Sequence, residues 1–505
     1  MLRFGKPFLL CGLLSSTCGP TSPTVESNDI TGAATGTSAE GASIDSSTIA
    51  STADGLPDAT AAPESSSSGS STDLERWSLL GDIAELRLGD TIVTGDFNGD
   101  GEADVSVSTF PGSVEGVGIY IAYGPLEAGV SVASDLRMGV FGAFGSPWAH
   151  ISAVGDWNED GSDDIAIGSN VVSLAGLVGT VDLEADVIEG FVVHPETEAG
   201  EDTIWELSYA GDVNGDETSD LLASAPGFSG EEFGSGRVYV MFGPIAQDVW
   251  LGDLGTWSGF VIARQSEANW QTGFSVSTAG DVNGDGYADV LVGTSASTHY
   301  LVYGKPDVAS VQLDDVFGGN GGVSIECGNS CVTSRVRGIG DIDGDGASDF
   351  AIASDRGRVW VIYAQKSFVS PIELEDTGVS ADGFLVDLEI TTIAAPKISV
   401  ATAGDVNNDG FDDIVVGCAS NDEDSANGLY LVYGGSSDSV ISRSELESGE
   451  RGSHIGSSAP DDGFGHAVGD TPRSDLSGSK VLIGAAPFDS QIVEYGGRLD
   501  VFFVP

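Results

Sequence analysis

Residues 280–293 read GDVNGDGYADVLVG, and this stretch decides the fold. Oxygen-bearing side chains stand at Asp281, Asn283 and Asp285, the first, third and fifth positions of a loop. Gly286 follows as a residue free to turn sharply, and Asp289 closes the loop at position nine. A hard cation such as calcium takes six to eight oxygens at about 2.3–2.6 Å. This spacing, with the backbone carbonyl of Tyr287 at position seven, supplies most of them. An EF-hand would also need a bidentate Glu at position twelve and flanking helices, but position twelve is Val292 inside an apolar, strand-like run. Dockerin modules, which place the loop before helices, fail the same test.

The stretch recurs. GDFNGDGEADVSVS begins at Gly95, GDWNEDGSDDIAIG at Gly155, GDVNGDETSDLLAS at Gly211, GDIDGDGASDFAIA at Gly340 and GDVNNDGFDDIVVG at Gly404. The expected ligands in the first loop are Asp96, Asn98, Asp100, the Glu102 carbonyl and Asp104. In the second they are Asp156, Asn158, Asp160, Ser162 through its carbonyl, and Asp164. The third offers Asp212, Asn214, Asp216, the Thr218 carbonyl and Asp220. The fifth has Asp341, Asp343, Asp345, the Ala347 carbonyl and Asp349, and the sixth Asp405, Asn407, Asp409, the Phe411 carbonyl and Asp413. The variety at position seven is expected if only its backbone is used. Glu217 replaces the turn glycine of the third loop, which predicts strain there. A seventh copy at Asp470 has Pro472 and Ser474 at the third and fifth positions, so no metal is expected in it.

The loop starts are separated by 60, 56, 69, 60, 64 and 65 residues. Each unit carries an alternating strand before the loop, such as Phe274 to Thr278, an apolar strand after it, and a third ending in an aromatic residue. That third strand spans Ile119 to Tyr123, Val238 to Phe242, Tyr300 to Tyr303 and Leu429 to Tyr433 in four units. A fourth, more polar strand is expected in segments like Val311 to Val316. Seven units of four strands predict an all-β, seven-bladed β-propeller with antiparallel blades. The last unit ends with its third strand, Leu499 to Val504, while an orphan strand lies at Arg76 to Leu80. The N-terminal strand is therefore expected to complete the seventh blade and remove an exposed edge.

The units resemble FG-GAP repeats, the blade modules of the integrin α-subunit head and of many bacterial surface proteins. The phrases SAPGFSG at Ser224, DGFGHAVGD at Asp462 and GAAP at Gly484 carry the resemblance, which covers about Leu74 to Pro505. It implies metal loops on a lower face and ligand-binding loops on an upper one. Here the upper face would include Gly227 to Gly236 and Asn421 to Asn427. The expected cofactor is calcium, about six ions, mainly structural. The expected partner is a protein or glycan on the upper face, met by a monomer.

Composition narrows the partners further. The chain has 505 residues with 78 Asp and Glu against 19 Lys and Arg, a formal charge of −59, which repels nucleic acid and anionic membrane surfaces. Six calcium ions would offset only part of it, and a saline habitat is a second explanation. With 72 Gly and 18 Pro, tight turns between strands are expected and almost no helix. Residues 1–18 have the layout of a secretion signal: Arg3 and Lys6, an apolar stretch from Pro7 to Leu14, then small residues. Cys18 resembles a lipidated cysteine, against simple cleavage and release. No later segment is apolar enough to cross a bilayer. Residues 19–73, rich in Ser, Thr, Gly and Ala, are expected to be a flexible tether, and 74–505 the propeller. Cys327 and Cys331 are spaced to pair or to stay as free thiols, and Cys418 follows an apolar run as a small buried residue.

No catalytic residue is nominated. His150, His194, His299, His454 and His466 lie in no metal or triad spacing and are expected as turn or surface residues. Trp148, Trp157, Trp250, Trp257 and Trp270 are expected in blade packing, with sugar stacking as the sharper alternative. The reading is a secreted or cell-surface interaction module. Its rivals are a propeller enzyme acting on polysaccharide or phospholipid and a lectin-like glycan-binding module.

Overall fold

The structure is a computed structural model. It describes residues 74–504 except 82–85, 110–117, 134–135, 137, 142–149, 178, 183–187, 197–202, 230–233, 255–257, 265–269, 329–333, 376–377, 380–381, 391–395, 420–425, 436–439, 458–461, 471–479 and 488–496. The expected signal segment, Cys18, the tether, Cys331, Trp148, Trp257 and most of the seventh loop lie outside the described residues.

Seven antiparallel sheets follow one another along the chain. In blade four the strands are Ser275–Gly280, Asp289–Gly293, Thr298–Val302 and Gly322–Glu326, paired in that order. The innermost strands of successive blades lie side by side, and Leu88–Gly95 of the first meets Val468–Gly469 of the last, which closes a ring. The second strands are buried along their whole length because blades pack on both of their faces. Leu291, Leu301 and Val323 of blade four thus share one core with Val336, Phe350 and Trp360 of blade five.

The chain ends meet as expected. Glu75–Leu80 pairs antiparallel with Arg498–Val504, from Glu75 opposite Phe503 to Leu80 opposite Arg498. Buried charge locks this seam. Arg498 donates from Nε to Asp500 Oδ2 at 2.7 Å and lies 3.3 Å from Asp462 Oδ2, while Ser78 Oγ donates to Asp500 Oδ1 at 2.6 Å.

Most sheets gain a short extra strand. The connection between the third and fourth strands of a blade reaches back and pairs, in parallel, with the outer strand of the preceding blade. Val311–Gln312 on Gly259–Ala263, Ile372–Glu375 on Gly322–Glu326 and Val440–Ser442 on Gly383–Asp387 are examples. Blade seven takes its fourth strand from the other end of the chain, so it has no such connection. Among the described residues, the outer strand of blade six, Gly452–Gly456, carries no fifth strand. The expected fourth strand at Val311 to Val316 is corrected by this pattern. Val311–Gln312 is the reaching strand, Leu313–Phe317 is a helical turn, and the fourth strand proper is Gly322–Glu326. Leu313 and Val316 are buried at that turn, so their apolar spacing came from a helix face rather than a strand.

The histidine reading also needs correction. His299 lies within the third strand of blade four and is fully buried, and His466 is buried too. Thr294 N donates to His299 Nδ1 at 3.2 Å. Burial pushes the His299 pKa down to about 4. An unfolded histidine titrates near about 6.5, so on acidification the unfolded chain takes up the proton first. The stability this group contributes is complete above about pH 6.5 and falls by about 1.4 kcal/mol per pH unit down to about pH 4. His299→Gln is expected to flatten the pH dependence of denaturant unfolding by that slope, measured at matched calcium. Parallel slopes for the two proteins would contradict it.

Trp157 is buried between blades two and three, its Nε1 donating to the Ile245 carbonyl at 2.8 Å, which is the packing role expected. Trp250 is half exposed and stacks on His194 with centroids 4.1 Å apart, and Trp270 lies under the Arg264 guanidinium at 3.9 Å. Cys327 is disulfide-bonded to a residue outside those described, and Cys418 is buried and free.

Candidate metal centres on one face of the ring

All six loops join the first strand of a blade to its second, so they emerge on the same face. Each is built on one hydrogen-bond scaffold. In blade four, Asp285 N donates to Asp281 Oδ1 at 3.0 Å and to Asn283 Oδ1 at 2.8 Å. Gly286 N donates to Asp281 Oδ2 at 2.8 Å, and Tyr287 N to Asp285 Oδ1 at 3.1 Å. The same four bonds recur in the loops beginning at Asp96, Asp156, Asp212, Asp341 and Asp405. The loop's own amides therefore turn the side chains at positions one, three and five toward one another. In blade five the carboxylates of Asp341, Asp343 and Asp345 lie within 4.8 Å of one another.

Position nine plays a different part. Asp104, Asp164, Asp220, Asp289, Asp349 and Asp413 are buried beneath their loops. Asp289 accepts from Val282 N at 3.1 Å and from Gly304 N at 2.9 Å, clamping the loop to the end of the third strand. Asp104, Asp220, Asp349 and Asp413 do the same. In blade two Asp164 accepts from Trp157 N at 2.8 Å, but its Oδ1 is buried with no hydrogen-bond partner. Burial is the main force pushing these carboxyls up, with the carboxylate charges of the loop above adding to it. Asp104, Asp220, Asp289 and Asp349 reach about 7 and Asp164 and Asp413 about 6.

The donor set fits calcium. It is all oxygen, two or three of the side chains at positions one, three and five are carboxylates, and these crowd one another in a way a divalent cation would relieve. Bound there, calcium would supply charge neutralisation and a rigid turn, with no chemistry of its own.

Two features of the loops escaped the sequence. Position four has a positive φ in every copy, at Gly99, Glu159, Gly215, Gly284, Gly344 and Asn408. At Gly215 a Cβ would stand 2.5 Å from the Tyr287 ring, and at Gly344 2.8 Å from the Phe411 ring. Tyr287 and Phe411 at position seven thus pack on the loop of the preceding blade, and their role is more than the carbonyl. Backbone bonds join the same neighbours: Asp163 N to the Asp96 carbonyl, Ala288 N to Asp212 and Asp412 N to Asp341, at 2.7–2.9 Å.

Glu217 sits at φ 69°, as its place in the third loop predicted. An L-residue in that conformation costs about 1 kcal/mol that glycine does not. Glu217→Gly is therefore expected to raise unfolding free energy in saturating calcium by about 1 kcal/mol, read from denaturant melts. No gain, or a loss, would show that the loop holds Glu217 without strain.

Asn283 and Asp285 also line a cleft of about 530 Å³ with Tyr303, Lys366 and Phe368. Among the described residues, no helix is long and apolar enough to cross a membrane.

A family model described as FG-GAP repeat matches residues 208–241 and 272–324, which lie in blades three and four. Integrin alpha-PS2 of Drosophila melanogaster is 28% identical over 165 residues. The match covers 30% of this chain and 11% of that one, so the chain spans about a tenth of that relative's length. Among solved structures, BBS1N in complex with ARL6DN, soaked with mercury, is 12% identical and covers 84% of this chain and 94% of its own, with a TM-score of 0.42. The lead-soaked form is 11% identical and covers 86% and 97%, with a TM-score of 0.45. FG-GAP repeats thus lie in the third and fourth blades of a seven-bladed β-propeller.

Proposed function

We propose that the protein is an exported calcium-binding propeller. It would act as a secreted or cell-surface interaction module, binding a protein or glycan with the face opposite the metal loops. The observation that carries the calcium reading is the shared scaffold: six loops with oxygen-only donors, turned inward by their own amides on one face of the ring. Because the loops of blades one and two, three and four, and five and six are hydrogen-bonded in pairs, an ion held in one would stiffen its partner as well. The opposite face is then free for recognition, and the similarity to an integrin α chain supports the adhesive reading. The net charge of −59 disfavours nucleic acid as the partner.

A glycan and protein array probed in calcium and in chelator tests this. Binding that is present in calcium and lost in chelator supports the module. Turnover of a polysaccharide or phospholipid panel, abolished by substituting acids on the ligand face, would replace it with an enzyme. For the anchor, Cys18→Ala is expected to move the protein from the membrane fraction to the medium; an unchanged distribution would leave simple secretion.

A further inference from the structure

The inner strands surround an axial channel whose side chains differ from the rest of the molecule. In a chain with only 19 Lys and Arg, Arg335, Arg337 and Lys397 gather here with His150 and His466. Contacts between blades that are not neighbours place them on the axis. Lys397 Nζ of blade six lies 3.7 Å from Asp90 Oδ1 of blade one, and Arg337 of blade five pairs with Asp470 of blade seven. His466 Nε2 stands 2.6 Å from Lys397 Nζ and 3.4 Å from Asp90 Oδ1.

Depth along the axis follows from the sequence, because every inner strand runs toward its metal loop. Arg337 stands four residues before Asp341, Arg335 six before it, and Glu206 six before Asp212. At about 3.3 Å per residue, Arg335 and Glu206 sit roughly 7 Å nearer the ligand face than Arg337. The Arg337–Asp470 pair is fixed from two more sides, by Thr402 N on Asp470 Oδ1 at 3.1 Å and Thr94 Oγ1 on the Asp470 carbonyl at 2.9 Å. It lies on the metal-loop side of Arg335. Above it, Arg335 is exposed and makes no hydrogen bond or ion pair among the described residues, and the half-buried Glu206 carboxyl makes no hydrogen bond either.

We propose that the mouth of this channel binds a single carboxylate on an otherwise uncharged ligand, gripped by the Arg335 fork with Lys397 beside it. A guanidinium matches a carboxylate with two parallel N–H bonds. The surrounding negative field repels polyanions, and Asp90, Asp470 and Glu206 would penalise a phosphate dianion more than a monoanion. The ammonium of Lys397 is pushed down to about 8 by burial and by Arg335, and an arriving anion would favour its charged form. The inference rests on the reading that this face meets ligands, and is independent of calcium and export.

Titration calorimetry on the calcium-loaded full chain tests it with three probes: galacturonate, its neutral methyl ester and N-acetylglycine. Galacturonate is expected to bind at least ten-fold more tightly than the ester. Similar binding of N-acetylglycine would assign peptide carboxylates as well as sugar acids, whereas no binding would restrict the site to sugar acids. Arg335→Gln is expected to lose ten-fold or more with unchanged melting, and Glu206→Gln, which removes a competing acid, to bind several-fold more tightly. Equal binding of acid and ester, or full binding by Arg335→Gln, would overturn the site. If array ligands bind Arg335→Gln normally, this inference fails while the interaction module stands. If the carboxylate probes bind and the array is blank, the reverse holds.

Discussion

Replacing Arg498 with Met is expected to lower unfolding free energy by about 3–5 kcal/mol, the usual cost of stripping one partner from a buried ion pair. The guanidinium is 1% exposed and stands between Asp500, which is fully buried, and Asp462, which is 2% exposed. It also lies over the Phe464 ring. Without it two carboxylates remain in the seam where the first strand joins the last, and among the described residues Asp500 keeps the Ser78 hydrogen bond and the half-exposed Arg76 guanidinium at 3.9 Å. The loss therefore falls on ring closure, the step that joins the chain ends. Arg498→Lys should recover only part of it, because an ammonium cannot reach both acids with the geometry of a planar fork. Denaturant melts in saturating calcium measure the effect, and a change under about 1 kcal/mol would mean that the seam is held by its backbone pairing alone.

Chelation is expected to have the larger effect. A ligand at about a hundred times its dissociation constant stabilises the state it binds by about 2.7 kcal/mol per site. Six sites acting even partly together imply a fall on the order of 10 kcal/mol when calcium is withdrawn, and a drop in melting temperature of more than about 10 °C. Electrostatics point the same way. With no cation present, Asp341, Asp343 and Asp345 face one another within 4.8 Å, above a buried Asp349 already pushed to about 7. The bonds between paired loops would pass the loosening of one loop to its partner, so melting should be broader as well as earlier. Adding back calcium should restore both, and magnesium should do so poorly, since its small octahedral shell suits this many protein oxygens badly.

Much of this architecture was legible because it repeats. The loop at Asp281 and its five intact relatives number the blades, and the surplus strand at Arg76 to Leu80 points to the closure found with Arg498–Val504. What stayed hidden is short or non-local. The parallel fifth strands are two to four residues long, too short for any period to show, and Val311 to Val316 misled because a helical turn there also buries apolar residues. The positive φ at position four was masked by Glu159 and Asn408, which occupy the conformation without being glycine. His299 looked like a surface residue because one histidine inside an apolar strand carries no spacing signal. The axial cluster draws Asp90, Glu206, Arg335, Lys397 and Asp470 from five blades, and only the closed ring brings them together.

The central claim, that six of the seven loops hold calcium, is tested most directly by counting the ions. After equilibrium dialysis against calcium and removal of loosely bound ions, elemental analysis is expected to find about six calcium per chain, falling by one when Asp281 and Asp285 are both replaced by Asn. One ion or none, or a count unchanged by that double substitution, would contradict it.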